Sequence, residues 1–313
     1  MLQSEWGATV VLDLFLSGFG GCLFAASALL VLVAGDKHQQ SARIASWVSF
    51  ASVLAGVLCL LADVGQPLRA MVMPLSFSNF GSWMPRGAWS LAIALIVFLL
   101  FALSFESKVT NHIGTDAAKR ARMLRSARIG LGVVGIIAGL FVTLYTGFLL
   151  KDSVNIPFWD TLFLPATFVC SSLAAGCGTL LLIVALMKEG EKNVVRVLAG
   201  ASIVLPLVCG GLIAAYLSSM STGSGAESAA WVMESPAFIV GAIGAAALLA
   251  GGVIALVFSE RSRSIVAPAA VACIAVIALG LAIRFCVVGA GSHEALMSID
   301  AFQAVDGITY LFR

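Results

Sequence analysis

LLADVGQPLRAMVMPLSFSNFGSWMPRGAW, residues Leu60 to Trp89, is the longest connection that carries polar side chains in a chain that is otherwise almost continuously hydrophobic. Connections longer than about 12 to 15 residues usually have a function or are disordered, and the many apolar residues of this one argue against disorder. We interpret it as the rim of a reaction or docking site; a plain extramembrane loop is the alternative. It brings a carboxylate, an amide, two guanidiniums and two indoles between two apolar segments: Asp63, Asn79, Arg69, Arg86, Trp83 and Trp89.

The composition of the whole chain is that of an integral membrane protein. Hydrophobic residues make up 60% of the 313 residues and charged residues 11%, whereas soluble domains carry roughly 25% charged residues. The mean hydropathy is +1.05. A formal net charge of +2, with no basic stripe beside aromatic residues, excludes nucleic-acid binding.

A helix of about 20 apolar residues crosses a bilayer, and eight such segments are predicted. Their frequent Gly and Ser residues allow close approach of helix backbones, so we expect one all-α polytopic domain over residues 1–313. The segments are Ala8–Ala34, Ile44–Ala62, Ala88–Phe105, Ile129–Leu150, Leu162–Met187, Val197–Leu217, Ala237–Phe258 and Ile265–Gly289.

The distribution of basic residues predicts the orientation. Cytoplasmic connections carry the excess of Lys and Arg, and thirteen of the eighteen such residues fall on one side of the eight predicted spans. Both termini and the Leu60–Trp89 connection are therefore expected on the outer, periplasmic side. The basic run Ala117–Arg128 is interpreted as a topology determinant that touches anionic lipid headgroups.

Cysteine and histidine placement argues against resident metal centres. None of the seven cysteines forms a CxxC motif, and two thiols at helical spacing, Cys170 and Cys177, are a poor metal site. We expect small buried hydrophobic residues instead. His38, His112 and His293 lie outside the predicted spans, which argues strongly against a haem held between helices by two histidines.

Three polar residues fall inside the predicted spans and a fourth, Asp63, closes the second span; all four are expected at one depth. Ionisable residues inside hydrocarbon are costly and mark functional sites by default, and the depth is roughly 8 Å below the outer apolar boundary at 1.5 Å per residue. We expect the four helices to form one pocket. Burial disfavours the charged form of a carboxylate there unless a cation such as Arg284 or Arg86 compensates. The four residues are Asp13, Asp63, Tyr145 and Arg284.

Six stretches in order along the chain resemble the NrfD/PsrC family, the integral membrane subunits of polysulfide-reductase-type and nitrite-reductase-type complexes. They are DLFLSGFGG, DVGQPLR, SFSNFGSWMPRGAW, LYTGFLL, IPFWDTLFLPATFVCSSLAAG and LAIRFCVVGAG. The resemblance implies two four-helix bundles in a bacterial or archaeal cell membrane, no haem, and a site for menaquinone or ubiquinone as substrate near the periplasmic face. It also implies a ferredoxin-like partner with iron-sulfur clusters and a catalytic subunit, often a molybdopterin enzyme.

By the same resemblance, Tyr145 corresponds to the tyrosine that contacts quinone. Asp13 corresponds to a position in helix one where the polysulfide reductase relative has a histidine. Val10 stands where that relative has a neighbouring asparagine. Asp63 and Arg284 match an acidic and an arginine position. The chain is thus expected to be the quinol-reacting subunit of an oxidoreductase, with Asp13 and Tyr145 binding quinone. The partner is expected to dock on the connection that holds Arg69, Trp83, Arg86 and Trp89, because aromatic residues and arginine are favoured at interfaces.

Two other functions stay open from the sequence. A secondary transporter would fit eight glycine-rich helices, although transporters place their sites near the midplane and the charged groups here lie toward one face. A passive membrane anchor would need none of the polar residues. Counterflow by the isolated protein would identify the transporter, and quinol turnover that survives replacement of Asp13 or Tyr145 would identify the anchor.

Overall fold

A computed structural model describes residues 7–63, 83–111, 116–152, 156–189, 191–221, 226–236, 238–244, 250 and 265–291. These residues are mostly helical, and no strand occurs among them. Much of the Leu60–Trp89 connection, including Arg69 and Asn79, lies outside the described residues.

Seven of the described helices are long and apolar enough to cross a bilayer. The protein is therefore a multi-pass membrane protein, as its composition predicts. Shorter helices also occur among the described residues, including Ser107–Thr110 and a nine-residue helix, α7. The helices used below are α1 (Ala8–Ala34), α2 (Gln39–Asp63), α3 (Trp83–Leu103), α4 (Ala117–Lys151), α5 (Phe163–Leu186), α6 (Lys192–Met220), α7 (Ala226–Glu234) and α8 (Val266–Gly291).

Most of the predicted seventh span, Ala237–Phe258, lies outside the described residues. Its first part, residues 238–244, is helical and runs antiparallel to α8, because Gly241 lies beside Ala282 and Gly244 lies beside Ala275. The count of eight spans and the outward position of both termini remain predictions.

Local sequence explains where several helices begin and end. Asp116 precedes α4, and its carboxylate accepts hydrogen bonds from the backbone N–H groups of Ala118 and Lys119, as an N-cap residue does. Gly35 follows α1 with a φ of 66°, a backbone conformation that glycine adopts without steric cost. At 35 residues, α4 is about 52 Å long at 1.5 Å per residue, so its basic first turns extend beyond a bilayer core.

The first helix lies at the centre of the described structure, in contact with α2, α3, α4, α5 and α8. Close approach of glycines makes this possible. A methyl group at Gly139 of α4 would lie 2.5 Å from the backbone oxygen of Gly21, and one at Gly176 of α5 would lie 2.8 Å from the backbone nitrogen of Leu23. Such direct backbone contact is typical of membrane helices.

Two groups of helices pack around α1, and they also meet each other where α4 contacts α5. The first group is α1 to α4, whose core contains the stacked rings of Phe24 and Phe98, 3.8 Å apart between centroids, with Phe101 packed edge-on. The second group contains α5, α6 and α8. The resemblance implies two bundles of four helices, and that division remains a prediction.

The helix ends on the basic side are held together by carboxylates. Glu106, which follows α3, accepts hydrogen bonds from Nε of Arg43 at 2.7 Å and from Nη2 of Arg43 at 2.9 Å. The indole N–H of Trp47 donates to the same carboxylate at 3.0 Å. These hydrogen bonds, that of Trp47 first and those of Arg43 second, lower the pKa of Glu106 below its ordinary value of 4.5.

We predict that Glu106 makes stability pH-dependent in the acid range. Because its pKa is lower in the folded protein, its contribution is complete above pH 4.5 and is lost as the pH falls through the lowered value. Thermal unfolding in detergent measures this pH dependence of stability. The range from pH 7 to about pH 3.5 spans the reference pKa of a Glu side chain. Glu106→Gln should be less stable than the wild type at pH 7, and the difference should shrink in acid; an equal difference at all pH values would contradict the assignment.

Candidate functional site

Asp13 lies inside the first group of helices, on α1, and only 1% of its surface is exposed. The hydroxyl of Ser17, one turn further along α1, donates a hydrogen bond to its carboxylate at 2.8 Å. Gly56 of α2 faces the pair, and a methyl group there would lie 3.0 Å from Oδ1 of Asp13. Because Gly56 has no side chain, α2 can pack beside the Asp13 carboxylate without a clash.

Tyr145 of α4 lies in the same interior and is 3% exposed. Its ring packs directly on Gly87 of α3, where even a methyl group would overlap it. Asp13 and Tyr145 are therefore both buried inside the first helix group, beside Gly56 and Gly87 respectively. The structure thus brings together the two residues that were predicted to bind quinone, between four helices.

Asp63 lies further out than Asp13. It is the last residue of α2 and is exposed, and its carboxylate accepts a hydrogen bond from the Thr9 hydroxyl at 2.6 Å. Thr9 is one helical turn before Asp13, about 6 Å toward the end of α1. Asp63 therefore lies at the exposed end of this helix group, about one turn from the level of Asp13.

Arg284 of α8 is completely buried on another side of α1, packed against the second group. It donates hydrogen bonds to the Leu14 carbonyl at 3.0 Å and to the Ser172 hydroxyl at 2.7 Å. The rings of Phe15 and Phe168 lie 5.4 and 4.7 Å from its guanidinium carbon. Further acceptors, all on α5 and α8, are Ser171 Oγ, Phe168 O and Gly280 O.

The expectation of one pocket lined by all four polar residues is therefore wrong in its geometry. Within the part of the chain that the structure describes, no ion pair joins Arg284 to Asp13. Successive residues of a helix point about 100° apart, so α1 turns Asp13 to one group and its Leu14 carbonyl to the other. Equal depth along the sequence does not fix the direction in which a side chain points.

The residues proposed for docking are partly described. Trp83 stacks on Phe148 of α4 with 4.5 Å between ring centroids, and the Arg86 guanidinium carbon lies 5.0 Å from the centre of the Trp83 ring. Trp89 is 38% exposed. Trp83 thus helps fix α3 against α4, whereas Trp89 presents surface; Arg69 lies outside the described residues.

Metal-binding side chains are dispersed over the described ranges, which hold no group of three or more His, Cys, Asp or Glu arranged for a metal ion. His38 follows α1 in a short 3-10 turn, is buried, and lies 3.7 Å from the Glu191 carboxylate. It is therefore outside the helices that cross the bilayer. His112 and His293 lie outside the described residues.

Sequence reasoning missed three residues that shape the site: Ser17, Gly56 and Gly87. Ser17 carried a detectable signal, since a residue four positions after Asp13 lies on the same helix face. The two glycines carried none, because their role depends on which helix faces them.

Comparison with known proteins identifies the family. The family model described as "Polysulphide reductase, NrfD" matches residues 2–294. The protein belongs to this NrfD family. It is similar to the C subunit of polysulfide reductase from Wolinella succinogenes, with 27% identity over 183 residues, 57% of each protein. It is also similar to "Protein NrfD" of Escherichia coli, with 23% identity over 231 residues, 70% of this protein and 72% of that one.

The resemblance drawn from the six sequence stretches is thereby confirmed at the level of family. The match to the Wolinella protein spans little more than half of that relative's length.

We predict that the close fit of Tyr145 on Gly87 makes Gly87→Ala destabilising. The added methyl overlaps the phenol ring, and such overpacking costs about 1 to 3 kcal/mol. Gly130→Ala in α4 is the matched control, since nothing lies within 4 Å of a methyl group there. Unfolding of both variants in a denaturing detergent measures the difference. Equal stability of the two variants would contradict the packing of Tyr145 on α3.

Proposed function

We propose that this NrfD-family protein is the haem-free, quinol-reacting membrane subunit of a respiratory oxidoreductase complex. Quinol or quinone binds at Asp13 and Tyr145, and electrons pass to or from a ferredoxin-like iron-sulfur subunit on the outer side. The observation that carries the proposal is the convergence of a buried carboxylate and a buried phenol inside one helix group.

The two side chains supply what a quinone site needs. Oxidation of a quinol releases two electrons and two protons, so a proton acceptor must lie beside the ring hydroxyls. Asp13 can take a proton, and Tyr145 can donate a hydrogen bond to a quinone oxygen or accept one from a quinol hydroxyl. Thr9 and Asp63, one turn outward, offer the next polar positions for a proton that leaves toward the outer end.

Ser17 has a positioning role in this proposal. Its hydroxyl donates to Oδ1 of Asp13 at 2.8 Å, which leaves the other carboxylate oxygen for the substrate. Gly56 and Gly87 keep the neighbouring helices close without filling the site. Asp13, Tyr145 and the residues that hold them thus come from all of the first four helices.

The electrons need a partner, because the sequence supplies no spaced cysteine motif for an iron-sulfur cluster and no histidine inside a predicted span for a haem. The names of the relatives, one of them a component of a polysulfide reductase, support membership of a multi-subunit enzyme. In the proposed complex, clusters and a molybdopterin belong to the partner subunits, and this protein is enzymatic only as the part that reacts with quinol.

The proposal is tested on the affinity-purified complex in mild detergent, with menaquinol added and the iron-sulfur signals followed by electron paramagnetic resonance. We predict that Asp13→Asn slows menaquinol-dependent reduction about 100-fold or more, because loss of a general base usually costs roughly 10²- to 10⁴-fold. Tyr145→Phe should raise the KM for quinol and slow the reduction.

The control is Asp160→Asn, which makes the same chemical change at an exposed carboxylate paired with Lys151 and should leave the rate unchanged. Reduction of the partner by an artificial donor should be normal in all variants. Wild-type rates in Asp13→Asn would identify a passive anchor. A protein that purifies without iron or partners and catalyses counterflow of a substrate would be a transporter.

The partner is proposed to dock near the start of α3, on Arg86, Trp89 and the connection before them. We predict that Trp89→Ala lowers the amount of iron-sulfur subunit that co-purifies, since exposed tryptophan is a frequent binding hot spot. Leu162→Ala, a truncation of another exposed side chain (68%) just before α5, should change nothing. Equal recovery of the partner with both variants would assign Trp89 to the lipid interface instead.

A further inference from the structure

A large apolar cavity lies in the second helix group, between α6 on one side and α7, α8 and the helical residues 238–244 on the other. Its volume is about 720 Å³, within the range of about 300 to 1,000 Å³ that is usual for small-molecule sites. Large apolar side chains form much of its wall: Ile213, Leu217, Val232, Phe238, Ile283 and Val287.

The cavity exists because α6 packs closely against one neighbour and loosely against the next. It contacts α5 along much of its length but has few contacts with α7. The residues that α6 turns to the cavity include Gly210, Ala214 and Ser218, which lie four residues apart on one face and are exposed. A methyl group at Gly210 would meet no atom within 4 Å. The cavity is therefore open along α6 to molecules that enter from the membrane.

The shape of the cavity is elongated along the helix axis. The residues of the α6 segment that line it run from Pro206 to Ser221, a length of about 22 Å at 1.5 Å per residue. Half of the hydrocarbon core of a bilayer, the depth that the chains of one leaflet fill, is about 15 Å. A long molecule aligned with the helices therefore fits this cavity.

The hydroxyl groups that line the cavity already donate to backbone carbonyls. Those of Thr167 and Tyr216 do so at 2.7 and 2.5 Å, and those of Ser218 and Ser221 at 2.9 and 2.8 Å. A buried water needs two to four polar partners, and the oxygens of a buried quinone ring need donors. The described hydroxyls of the wall thus favour an apolar guest over water or a quinone ring.

An empty cavity of this size is unfavourable in a bilayer. Helices in lipid are held together by van der Waals packing and interhelical hydrogen bonds, and atoms that line a void lose their dispersion contacts on that side. A hydrocarbon chain restores these contacts with residues such as Leu217, Leu279 and Ile283. It needs no hydrogen-bond partner in return.

We propose that this cavity binds one long hydrocarbon chain of a membrane lipid, which lies along α6 and completes its packing against α7 and α8. Phospholipid acyl chains and isoprenoid tails share this chemistry. The headgroup of the lipid stays outside, because the hydroxyls of the wall are already engaged. The site lies in the second helix group and does not involve Asp13 or Tyr145, so the inference is independent of the proposed function.

The test uses the whole complex in nanodiscs that contain one of two photoreactive probes: a phospholipid with a diazirine on its acyl chain, or a polyprenol with a diazirine on its isoprenoid chain. After illumination, labelled peptides are mapped by mass spectrometry. We expect label on α6 around Ile213 and Leu217 and on α8 around Ile283, saturating at one probe per protein. The probe that gives this label identifies the source of the chain.

Gly210→Phe places a ring in the cavity and should abolish the label on these peptides. Gly200→Phe is the matched control, since it adds the same side chain to α6 at a position where nothing lies within 4 Å and that does not line the cavity; its label should persist.

Equal labelling of the two variants, or label that rises with probe concentration without saturating, would overturn the site in favour of ordinary contact with bulk lipid. Wild-type protein without label on these peptides from either probe would also overturn it, and this outcome does not depend on whether Gly210→Phe folds. Quinol turnover is not measured in this test, so failure of the proposed function would not change its result.

Discussion

The contact of α1 with the backbones of its neighbours is the constraint on which the rest of the structure depends. Gly21 meets Gly139 of α4, and Leu23 meets Gly176 of α5, at distances that leave no room for a side chain. In lipid, helices associate through such packing and through interhelical hydrogen bonds, because lipid tails are as apolar as the helix surfaces. A helix with neighbours on several sides can then hold polar groups away from lipid.

Two buried ionisable residues use this enclosure in different ways. Asp13 points into the first group, where Ser17 holds it and Tyr145 is also buried. Arg284 reaches α1 from the second group and is fully satisfied by carbonyls, hydroxyls and two aromatic rings. A buried cation with a complete set of acceptors supports the structure, whereas a carboxylate with one described hydrogen-bond donor retains capacity to bind a ligand or a proton. This difference is why the proposed chemistry is placed at Asp13.

Much of the fold could be predicted from the sequence because bilayer thickness fixes helix length. The limits of α1 agree with the predicted span, and those of α5 differ by one residue at each end. The start of α4 lies twelve residues before the predicted span, since the basic run Ala117–Arg128 is helical although it is too polar for a hydropathy criterion. That Asp13 and Tyr145 lie within membrane-crossing helices was predictable in the same way. The separation of Arg284 was not, because the direction of a side chain around its helix depends on neighbours that one sequence does not specify.

The central claim, that quinone binds between Asp13 and Tyr145, is tested most directly by photolabelling the complex with an azidoquinone and mapping the labelled peptides. The account predicts labels on α1 around Asp13 and on α4 around Tyr145, suppressed by excess menaquinone and lost in Tyr145→Phe. Labels confined to the lipid-facing surface would contradict it.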